Sequence, residues 1–578
     1  MAAAIRYRVS MEKAHAHLFD VEMTIEGWSD SALTLKLPVW TPGSYLVREY
    51  SRHLQDFEAV GATGAMRWQK LAKQTWRVEV PADGRVQVRY RIYANELTVR
   101  TSHLDTTHAF FNGACLFFYV PGCESSPCEV SVAPLNPDWR VSTALAAVPG
   151  RENTFQATSY DELVDSPFEV GTHRIVPFTV QGKPHTLAVW GKSNLDYNRF
   201  LPDLESLITT EAKLFGGLPY EYYLFLVHFA DGYGGLEHRN STTLLYPRFE
   251  LRGNEKYFKF LNLVAHEFFH LWNVKRVRPS TLDRFDYAHE NYTRSLWFME
   301  GATSYYDELL PLRAGIYDAT HYLKQLGIHI TCLLTTPGRA VQSLAESSFD
   351  TWIKLYRPNE NSLNSQVSYY LKGQLVCLLL DLEIRLRTGG ERSLDDAMRH
   401  LWQHYGAVDT SFPEAELEAI IERAVGLDLK LFFDHALRST GELDFEDHFA
   451  PFGLQLVPTG TDSAPPYLGL RTQEQNGRTT VQNVEAGSPA QLAGVATGDE
   501  LVALAGWKVT HGTLKDRLAD WRPGDHLEVT YFRREELRTT TARLGEACPT
   551  AYTVERRAEA TAQERERLTA WLGEKGPA

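Results

Sequence analysis

Two histidines and a glutamate stand close together in the apolar segment Leu263–Trp272, whose sequence is LVAHEFFHLW. His266 and His270 are four residues apart, so on a helix they project from one face and can bind a single divalent ion. Zinc suits two neutral imidazoles and one carboxylate, with a fourth position open for water. Glu267 directly follows the first histidine, at the place where a general base for that water belongs. The segment therefore predicts a hydrolytic Zn2+ site with two histidine ligands and one catalytic glutamate.

A buried helix with incidental histidines is the alternative interpretation of this segment. Two histidines and a glutamate are costly to bury in an apolar helix unless a partner satisfies their polar atoms. A bound metal ion is such a partner, and we favour the metal site for that reason.

The third ligand is expected to be a glutamate further along the chain, either Glu290 or Glu300. Glu290 lies twenty residues after His270, a spacing seen in thermolysin-type enzymes, but its surroundings, DYAHENYTR, are polar. Glu300 lies in the apolar, helix-forming segment SLWFMEGATSYY. Glycine costs a helix about 1 kcal/mol relative to alanine, so Gly301 indicates a close approach of helices. We predict Glu300 as the third ligand.

The two segments HEFFHLWNVKRVRP and NYTRSLWFMEGATSYY resemble the glycyl aminopeptidase family of zinc metallopeptidases, a relative of the gluzincin aminopeptidases that include aminopeptidase N. LPVWTPGSYLVREYSRH, at residues 37–53, belongs to the same resemblance, which extends over nearly the whole chain. The resemblance implies a zinc-dependent aminopeptidase that prefers N-terminal glycine or alanine. WFMEG is similar to the gluzincin segment whose glutamate is the third zinc ligand, which again indicates Glu300.

The segment GGLEH at residues 234–238 resembles the GxMEN exopeptidase motif. The resemblance implies that Glu237 binds the α-amino group of the substrate and that Gly234 and Gly235 pair with the peptide backbone. A carboxylate fixed at this position holds the substrate so that the scissile bond is one residue from its N-terminus. Leu236 and His238 replace the methionine and asparagine of the motif. A glycine turn with a surface glutamate is the alternative.

The segment SYYLKG at residues 368–373 is similar to the YxKG segment whose tyrosine stabilises the oxyanion. Alignment on Lys372 and Gly373 of this segment assigns the oxyanion role to Tyr370. Tyr369 could have that role instead, or either tyrosine could simply pack in the core. Asp307 lies two helical turns after Glu300, where it could orient a ligand histidine or be a solvated helix charge.

The elements that must position these residues change in type along the chain. The first part has the period-two alternation of half-buried strands, and the pattern stays strand-like to about residue 250. Helical spacing then dominates. The predicted strands lie at 18–26, 32–39, 75–80, 86–92 and 108–120, and the predicted helices at 255–275, 293–312, 316–334, 366–387, 393–405, 413–424 and 555–572.

A PDZ-like module is predicted after a polar linker at residues 458–466. PYLGL resembles the carboxylate-binding loop of PDZ domains, and VEAGSPAQLAGV with GDEL is similar to bacterial protease PDZ domains. Such a module captures peptide C-termini or merely packs on its neighbour. The predicted fold class is multidomain α+β, with an N-terminal β-sandwich or saddle domain (1–170), a thermolysin-like zinc catalytic domain with a helical C-terminal part (171–450), a PDZ-like domain (460–545) and a helical tail (550–578).

Charge and cysteine usage limit the partners. The 578 residues include 59 basic and 73 acidic ones, and the net charge of −14 excludes a general attraction to nucleic acid. The most apolar run, Leu375–Leu380, is too short to cross a bilayer. Six cysteines are too sparse for a disulfide framework. We expect a cytoplasmic protein whose partners are peptides with a free N-terminus.

Two other functions remain open at this point. A zinc endopeptidase would use the same metal site without selecting amino termini. A peptide-binding protein that depends on its PDZ module, with a vestigial metal site, belongs to a different class. The complete set of His266, Glu267, His270 and a third carboxylate favours an active enzyme.

Overall fold

The structure is a computed structural model that describes residues 4–62, 64–460 and 464–573. Residues 461–463 of the predicted linker and residues 574–578 of the predicted tail lie outside the described residues. The chain forms two compact units. One comprises Met1–Thr293, Tyr306–Ala314 and Met398–Glu414, and the other comprises Arg294–Tyr305, Gly315–Ala397 and Ala415–Ala578.

The N-terminal part is built from fifteen described strands and two short helices, as its alternating pattern predicts. In the strand Leu18–Glu26 every second side chain is buried, which places Phe19, Val21, Met23 and Ile25 in the core. The strands are β1 (Ala4–Lys13), β2 (Leu18–Glu26), β3 (Ala32–Lys36), β4 (Leu54–Gly61), β5 (Gly64–Ala65), β6 (Trp68–Ala72), β7 (Thr75–Glu79), β8 (Val86–Tyr93), β9 (Ser102–Leu104), β10 (His108–Phe111), β11 (Cys128–Ala133), β12 (Arg140–Ser142), β13 (Ala146–Ala147), β14 (Thr154–Ala157) and β15 (Phe168–Gly171).

These strands form three sheets around one aromatic-rich core. The largest sheet has the order β13-β14-β11-β1-β2-β8-β4-β5, a second has the order β12-β15-β10-β9, and β3, β7 and β6 form a third. The predicted strand at 108–120 is wrong in its second half, because Asn112 caps a short helix, α1 (Gly113–Leu116). Short buried apolar runs do not distinguish helix from strand by periodicity alone. A second short helix is α2 (Tyr160–Val164).

A five-stranded sheet follows, with the order β16-β17-β18-β20-β19. Its strands are β16 (Arg174–Val180), β17 (Lys183–Trp190), β18 (Tyr223–Phe229), β19 (Gly234–Glu237) and β20 (Ser241–Tyr246). The last strand in this order, β19, is therefore an edge strand.

The strand-like interpretation of residues 171–250 is wrong for one long helix, α3 (Tyr197–Phe215). Its signals were present in the sequence: Asp196 caps the N-terminus, and Gly216 ends the helix in the left-handed conformation. The buried side chains Phe200, Leu204 and Leu207 have helical spacing. Pro202 is the sixth residue of the helix, where proline removes one backbone hydrogen bond, so it argues against a helix when the sequence is taken alone.

A buried joint connects the second sheet of the N-terminal part to the five-stranded sheet. The Glu169 carboxylate accepts hydrogen bonds from His108 Nδ1 at 3.1 Å and from His228 Nε2 at 2.9 Å. All three side chains are almost fully buried, and His108 stacks on Trp190 with ring centroids 3.6 Å apart. Burial alone would raise the pKa of Glu169, but the two histidines lower it to about 2. The carboxylate is therefore ionised and paired across the joint.

Between residues 254 and 449 the chain is mostly helical, as predicted, with helix ends that shift by a few residues. The helices are α4 (Asn254–Phe269), α5 (Leu296–Met299), α6 (Gly301–Arg313), α7 (Ala319–Leu334), α8 (Leu344–Phe349), α9 (Ser362–Ser365), α10 (Tyr369–Arg387), α11 (Leu394–Leu401), α12 (Leu417–Val425), α13 (Lys430–Phe433) and α14 (Phe445–Phe449). No described helix is both long enough and apolar enough to cross a membrane.

The last part contains the predicted PDZ-like module. A sheet with the order β22-β23-β24-β26-β27 surrounds a small core of its own. The elements are β21 (Leu454–Thr459), β22 (Leu470–Gln475), β23 (Arg478–Val484), α15 (Pro489–Leu492), β24 (Glu500–Leu504), β25 (Trp507–Lys508), α16 (Leu514–Ala519), β26 (His526–Arg533), β27 (Glu536–Arg543), β28 (Ala551–Arg556) and α17 (Ala562–Leu572). The fold class of a multidomain α+β protein is confirmed, while the domain boundaries remain predictions.

Hydrogen bonds attach the C-terminal elements to the helices of their own unit. The Asn364 side chain donates to the Val484 carbonyl at 2.8 Å and accepts from the Ala486 amide at 2.9 Å. The indole of Trp571 donates to the Tyr305 hydroxyl at 2.9 Å. The prediction that the last helix docks is confirmed, although β28 occupies the first residues of the predicted helix.

Candidate metal centre and active site

His266 lies in the last turn of α4, and His270 is the residue that caps the C-terminal end of this helix. Apolar side chains on several sides of α4 are buried, and the helix contacts strands β19 and β20 of the five-stranded sheet. Tertiary packing therefore stabilises the helix in this position. The Nε2 atoms of His266 and His270 lie 3.0 Å apart. The sequence spacing of four residues thus brings both imidazoles to one point, as predicted.

The other nitrogen of each imidazole is held by an acceptor. His266 Nδ1 lies 2.8 Å from an Asp307 carboxylate oxygen, and His270 Nδ1 lies 2.7 Å from the Asn273 carbonyl. An Nδ1 that donates to such an acceptor leaves a lone pair on Nε2. Two lone pairs that face each other at this distance repel unless a cation lies between them. The donor set therefore fits a metal ion. Asp307 contacts a predicted ligand histidine, which agrees with the first of its two interpretations and not with a solvated helix charge.

Glu300 completes a set of three potential ligands. The side chains of His266, His270 and Glu300 offer donor atoms that all lie within 4.8 Å of one another. Glu300 is 2% exposed. Among the described residues, Glu290 belongs to neither of the two groups of potential ligands found, and no cysteine does. Two imidazoles and one carboxylate are a ligand set typical of catalytic zinc.

Close backbone packing accounts for the glycine after Glu300. A Cβ placed on Gly301 would lie 2.5 Å from the Gly373 carbonyl carbon, and one placed on Gly373 would lie 2.6 Å from the Trp297 carbonyl oxygen. The start of α6 therefore contacts α10 backbone to backbone, which confirms the prediction of a close helix approach. A side chain at either glycine would push Glu300 and the start of α10 apart.

The same contact brings Tyr370 near Glu300. Burial raises the pKa of Tyr370, and the Glu300 charge raises it further, so the phenol stays protonated and can donate. The Tyr370 hydroxyl lies 3.1 Å from that of Tyr356, a residue that no sequence pattern indicates. Tyr369 is fully buried and its hydroxyl accepts from Thr351 at 3.0 Å. Tyr369 therefore has a partner within the core, and the oxyanion role of Tyr370 stays a prediction.

Glu267 lies directly beneath the edge strand β19. A Cβ placed on Gly235 would overlap the Glu267 carboxylate. Glu237, at the other end of the strand, joins Glu267 and His270 in a second group of donor atoms within 4.8 Å of one another. Glu237 and Glu267 are 4% and 5% exposed, which excludes the alternative of a surface glutamate after a glycine turn.

The N-terminal part contributes a loop to this site. Gly43, in the segment TPGSY, has a φ of +82°, and a Cβ placed on it would lie 2.5–2.7 Å from the Glu237 carboxylate. Only a residue without a side chain allows the loop to approach so closely. The loop lies in a stretch that resembles the family, and nothing in the local sequence indicates which distant side chain it covers.

His238, which replaces the asparagine of the exopeptidase motif, anchors the end of β19. Its Nδ1 lies 3.3 Å from Asp165, which also accepts from the Arg239 amide at 2.7 Å and from Lys275 at 2.6 Å. Burial alone would raise the pKa of Asp165, but Lys275 and His238 hold it well below its ordinary value. The ionised carboxylate therefore holds the end of the strand that carries Glu237.

Three family descriptions match the chain. The Peptidase M61 N-terminal domain matches residues 6–172, M61 glycyl aminopeptidase matches residues 259–376, and the PDZ domain matches residues 466–544. No curated protein gives a significant match.

Solved structures give a clearer relationship. An aminopeptidase N family protein from Idiomarina loihiensis is 33% identical, with a TM-score of 0.92, over 98% of this chain and 100% of that chain. An M1 zinc metallopeptidase from Deinococcus radiodurans, solved as a mutant with a Tyr-Ser-Ala substrate, is 13% identical, with a TM-score of 0.47, over 76% of this chain and 94% of that chain. The family matches and the first of these structures show that the chain belongs to the M61 glycyl aminopeptidase family of peptidases.

Proposed function

We propose that this peptidase is a zinc-dependent aminopeptidase in which His266, His270 and Glu300 hold the metal. The observation that supports this most strongly is the pair of imidazole Nε2 atoms 3.0 Å apart with the Glu300 carboxylate beside them. Zinc in such a ligand set acts as a Lewis acid and makes water a nucleophile near neutral pH.

The buried glutamate at the end of β19 supports exopeptidase activity. The Glu237 carboxylate binds the N-terminal ammonium of the substrate, and the glycines of the edge strand accept its backbone. The donor atoms of Glu237 and Glu267 lie within 4.8 Å of each other, so an anchored substrate has its first peptide bond near the general base. A free N-terminus is therefore required for binding.

Glu267 and Tyr370 perform the proton and charge chemistry. Glu267 takes a proton from the attacking water and delivers it to the leaving amine nitrogen. The Tyr370 hydroxyl donates a hydrogen bond to the oxyanion that develops on the carbonyl. A phenol of ordinary pKa, about 10, keeps its proton at neutral pH, and burial raises the pKa of Tyr370 further.

The loop around Gly43 supports a preference for N-terminal glycine or alanine. This loop packs directly on the Glu237 carboxylate, so the space next to the substrate ammonium is limited. A small first side chain fits there, and a leucine side chain would have to displace the loop.

The PDZ domain is proposed to bind extended peptide C-termini. Its strand β22 is at the edge of the sheet, where a peptide can add as a further strand. The contacts of Asn364 with Val484 and Ala486 support the alternative that the domain packs on its neighbour. Binding of C-terminal peptides, compared with the same peptides amidated, distinguishes the two.

Free thiols support a reducing compartment. All six cysteines are unpaired, and Cys332 and Cys548 are exposed. We propose the cytoplasm on this ground.

The test of the proposed function is hydrolysis of glycyl, alanyl and leucyl anilides and of one peptide with its N-terminus free or acetylated. We expect cleavage of the free peptide only, with glycyl or alanyl anilide as the best substrate. Equal cleavage of the acetylated peptide would favour an endopeptidase, and faster leucyl hydrolysis would reject the preference for small residues. Glu267→Gln should lower turnover about 100-fold or more. A zinc-loaded protein without activity would indicate a vestigial site.

A further inference from the structure

An exposed lysine and an exposed tyrosine lie together beside the edge strand β19. The Lys259 ammonium lies 5.0 Å from the ring centroid of Tyr233, the residue directly before β19. The Tyr233 ring centroid also lies 5.7 Å from that of Tyr246, whose ring packs on Phe260 of α4 at 5.0 Å. Tyr233 is 53% exposed, and Lys259 is exposed as well. The ring and the cation therefore rest on α4 and stay open to a ligand.

The alternation of side chains places Tyr233 on the same face of the strand as the catalytic residues. Successive side chains of an extended segment point to opposite faces, so Tyr233, Gly235 and Glu237 share one face. A Cβ placed on Gly235 would overlap the Glu267 carboxylate, which shows that this face meets α4. Partial burial raises the pKa of the Tyr233 phenol, and the charges of Asp307 and Glu267 raise it further, as expected of a ring close to the proposed metal centre.

The order of groups along this face matches the order of groups in an extended substrate. In the proposed function, Glu237 binds the N-terminal ammonium, and Gly235 is level with the general base, Glu267. Tyr233 lies two residues beyond Gly235, which is about 6.6 Å along a strand. The part of the substrate that follows the scissile bond therefore extends past Gly235 towards Tyr233 and Lys259.

Charge indicates which chemical group suits this end of the cleft. None of the ion pairs among the described residues includes Lys259, whereas Lys256, one turn earlier on α4, pairs with Glu250 at 3.2 Å. An ammonium that no carboxylate neutralises attracts a carboxylate of the ligand, while Glu237 and Glu267 repel one elsewhere in the cleft. The aromatic face beside the ammonium suits the apolar atoms of the same substrate residue.

We propose that Tyr233 and Lys259 form a subsite for the leaving part of the substrate, and that this subsite favours a carboxylate. The carboxylate is the C-terminus of a short peptide or the side chain of an aspartate or glutamate after the scissile bond. This inference rests on the proposed aminopeptidase function and deepens it by naming a substrate class. Both residues then determine specificity without touching the reacting atoms.

The experiment compares kcat/KM within two pairs of peptides that differ in one charge. Gly-Ala-Ala and its amide test the terminal carboxylate, and the amides of Gly-Glu-Ala and Gly-Gln-Ala test the side-chain carboxylate. For the wild type we expect the charged member of at least one pair to be better by about threefold or more, the size of effect of a solvent-accessible charge pair. The pair that responds identifies the source of the carboxylate. This preference should fall as the salt concentration rises.

Variants assign the preference to the two side chains. Lys259→Gln should bring the ratio to about one, and Lys259→Arg should keep it, because both changes are at an exposed position and only the first removes the charge. Tyr233→Leu should raise KM for all four peptides about threefold, since the aromatic face is lost. The matched control is Lys256→Gln, which removes a lysine from the same helix and should keep both ratio and activity.

Two results would overturn the inference and leave the proposed function standing. One is a wild-type ratio near one in both pairs while all four peptides are cleaved, a comparison that needs no variant. The other is a preference for the charged peptide that persists in Lys259→Gln. Absence of cleavage of all four peptides by the zinc-loaded protein would overturn the proposed function and this inference with it.

Discussion

Replacing Gly235 with alanine tests how the edge strand controls the general base. The φ of Gly235 lies outside the left-handed region, so alanine meets no backbone strain there. Its Cβ would overlap the Glu267 carboxylate, well inside the 3.0 Å that real Cβ contacts hardly ever fall below. The carboxylate is the far end of a flexible side chain and gives way before the strand does.

The expected effect is therefore on activity and not on stability. A displacement of about 1 Å in a catalytic group can cost about 100-fold in rate, and we predict a loss of that size in kcat for glycyl anilide. Zinc content and melting temperature should stay close to those of the wild type.

The assay is steady-state hydrolysis of glycyl anilide with metal analysis of the same preparations. Gly512→Ala is the matched control, because a Cβ at Gly512 meets nothing within 4 Å and the backbone there is also open to any residue. Activity of Gly235→Ala within threefold of the wild type, at full zinc content, would refute the placement of Glu267 beneath this strand.

Three further predictions follow from the same geometry. Gly43→Ala should raise KM for glycyl substrates about tenfold, because its Cβ displaces the Glu237 carboxylate. The control Gly27→Ala changes a glycine of similar positive φ that lies in open space, and it should leave KM unchanged. Equal KM values in the two variants would contradict this prediction. Asp307→Asn should weaken zinc affinity by roughly 10–100-fold in chelator competition, since it orients a ligand histidine; unchanged affinity would exclude that role. The folded pKa of Glu169 is about 2, below its ordinary 4.5, so its contribution to stability is present above pH 4.5 and is lost as the pH falls towards 2. Glu169→Gln should lower the free energy of unfolding by about 3 kcal/mol at neutral pH and flatten its acid dependence in urea titrations, and a wild-type acid slope in the variant would argue against the pairing.

The parts of the site that the sequence predicts are those with a local pattern. His266 and Glu267 lie in the last turn of α4 and His270 caps it, so helical geometry alone brings the two imidazoles together. The choice of Glu300 over Glu290 followed from apolar context and a glycine, and burial in the structure is consistent with both arguments.

The parts that the sequence does not predict depend on long-range packing. Gly43 and Arg100 reach the edge strand from the N-terminal part, and no spacing in the sequence relates either of them to Glu237. The helix α3 escapes prediction for a different reason. Its caps at Asp196 and Gly216 are present in the sequence, but apolar strand-like runs lie on both sides of it and favour strands.

Metal analysis of purified protein tests the central claim most directly. The account predicts one zinc ion per chain in the wild type and in Glu290→Gln, and almost none in Glu300→Gln, with activity following the metal content. Full activity in metal-free wild type, or zinc retained by Glu300→Gln and lost from Glu290→Gln, would contradict it.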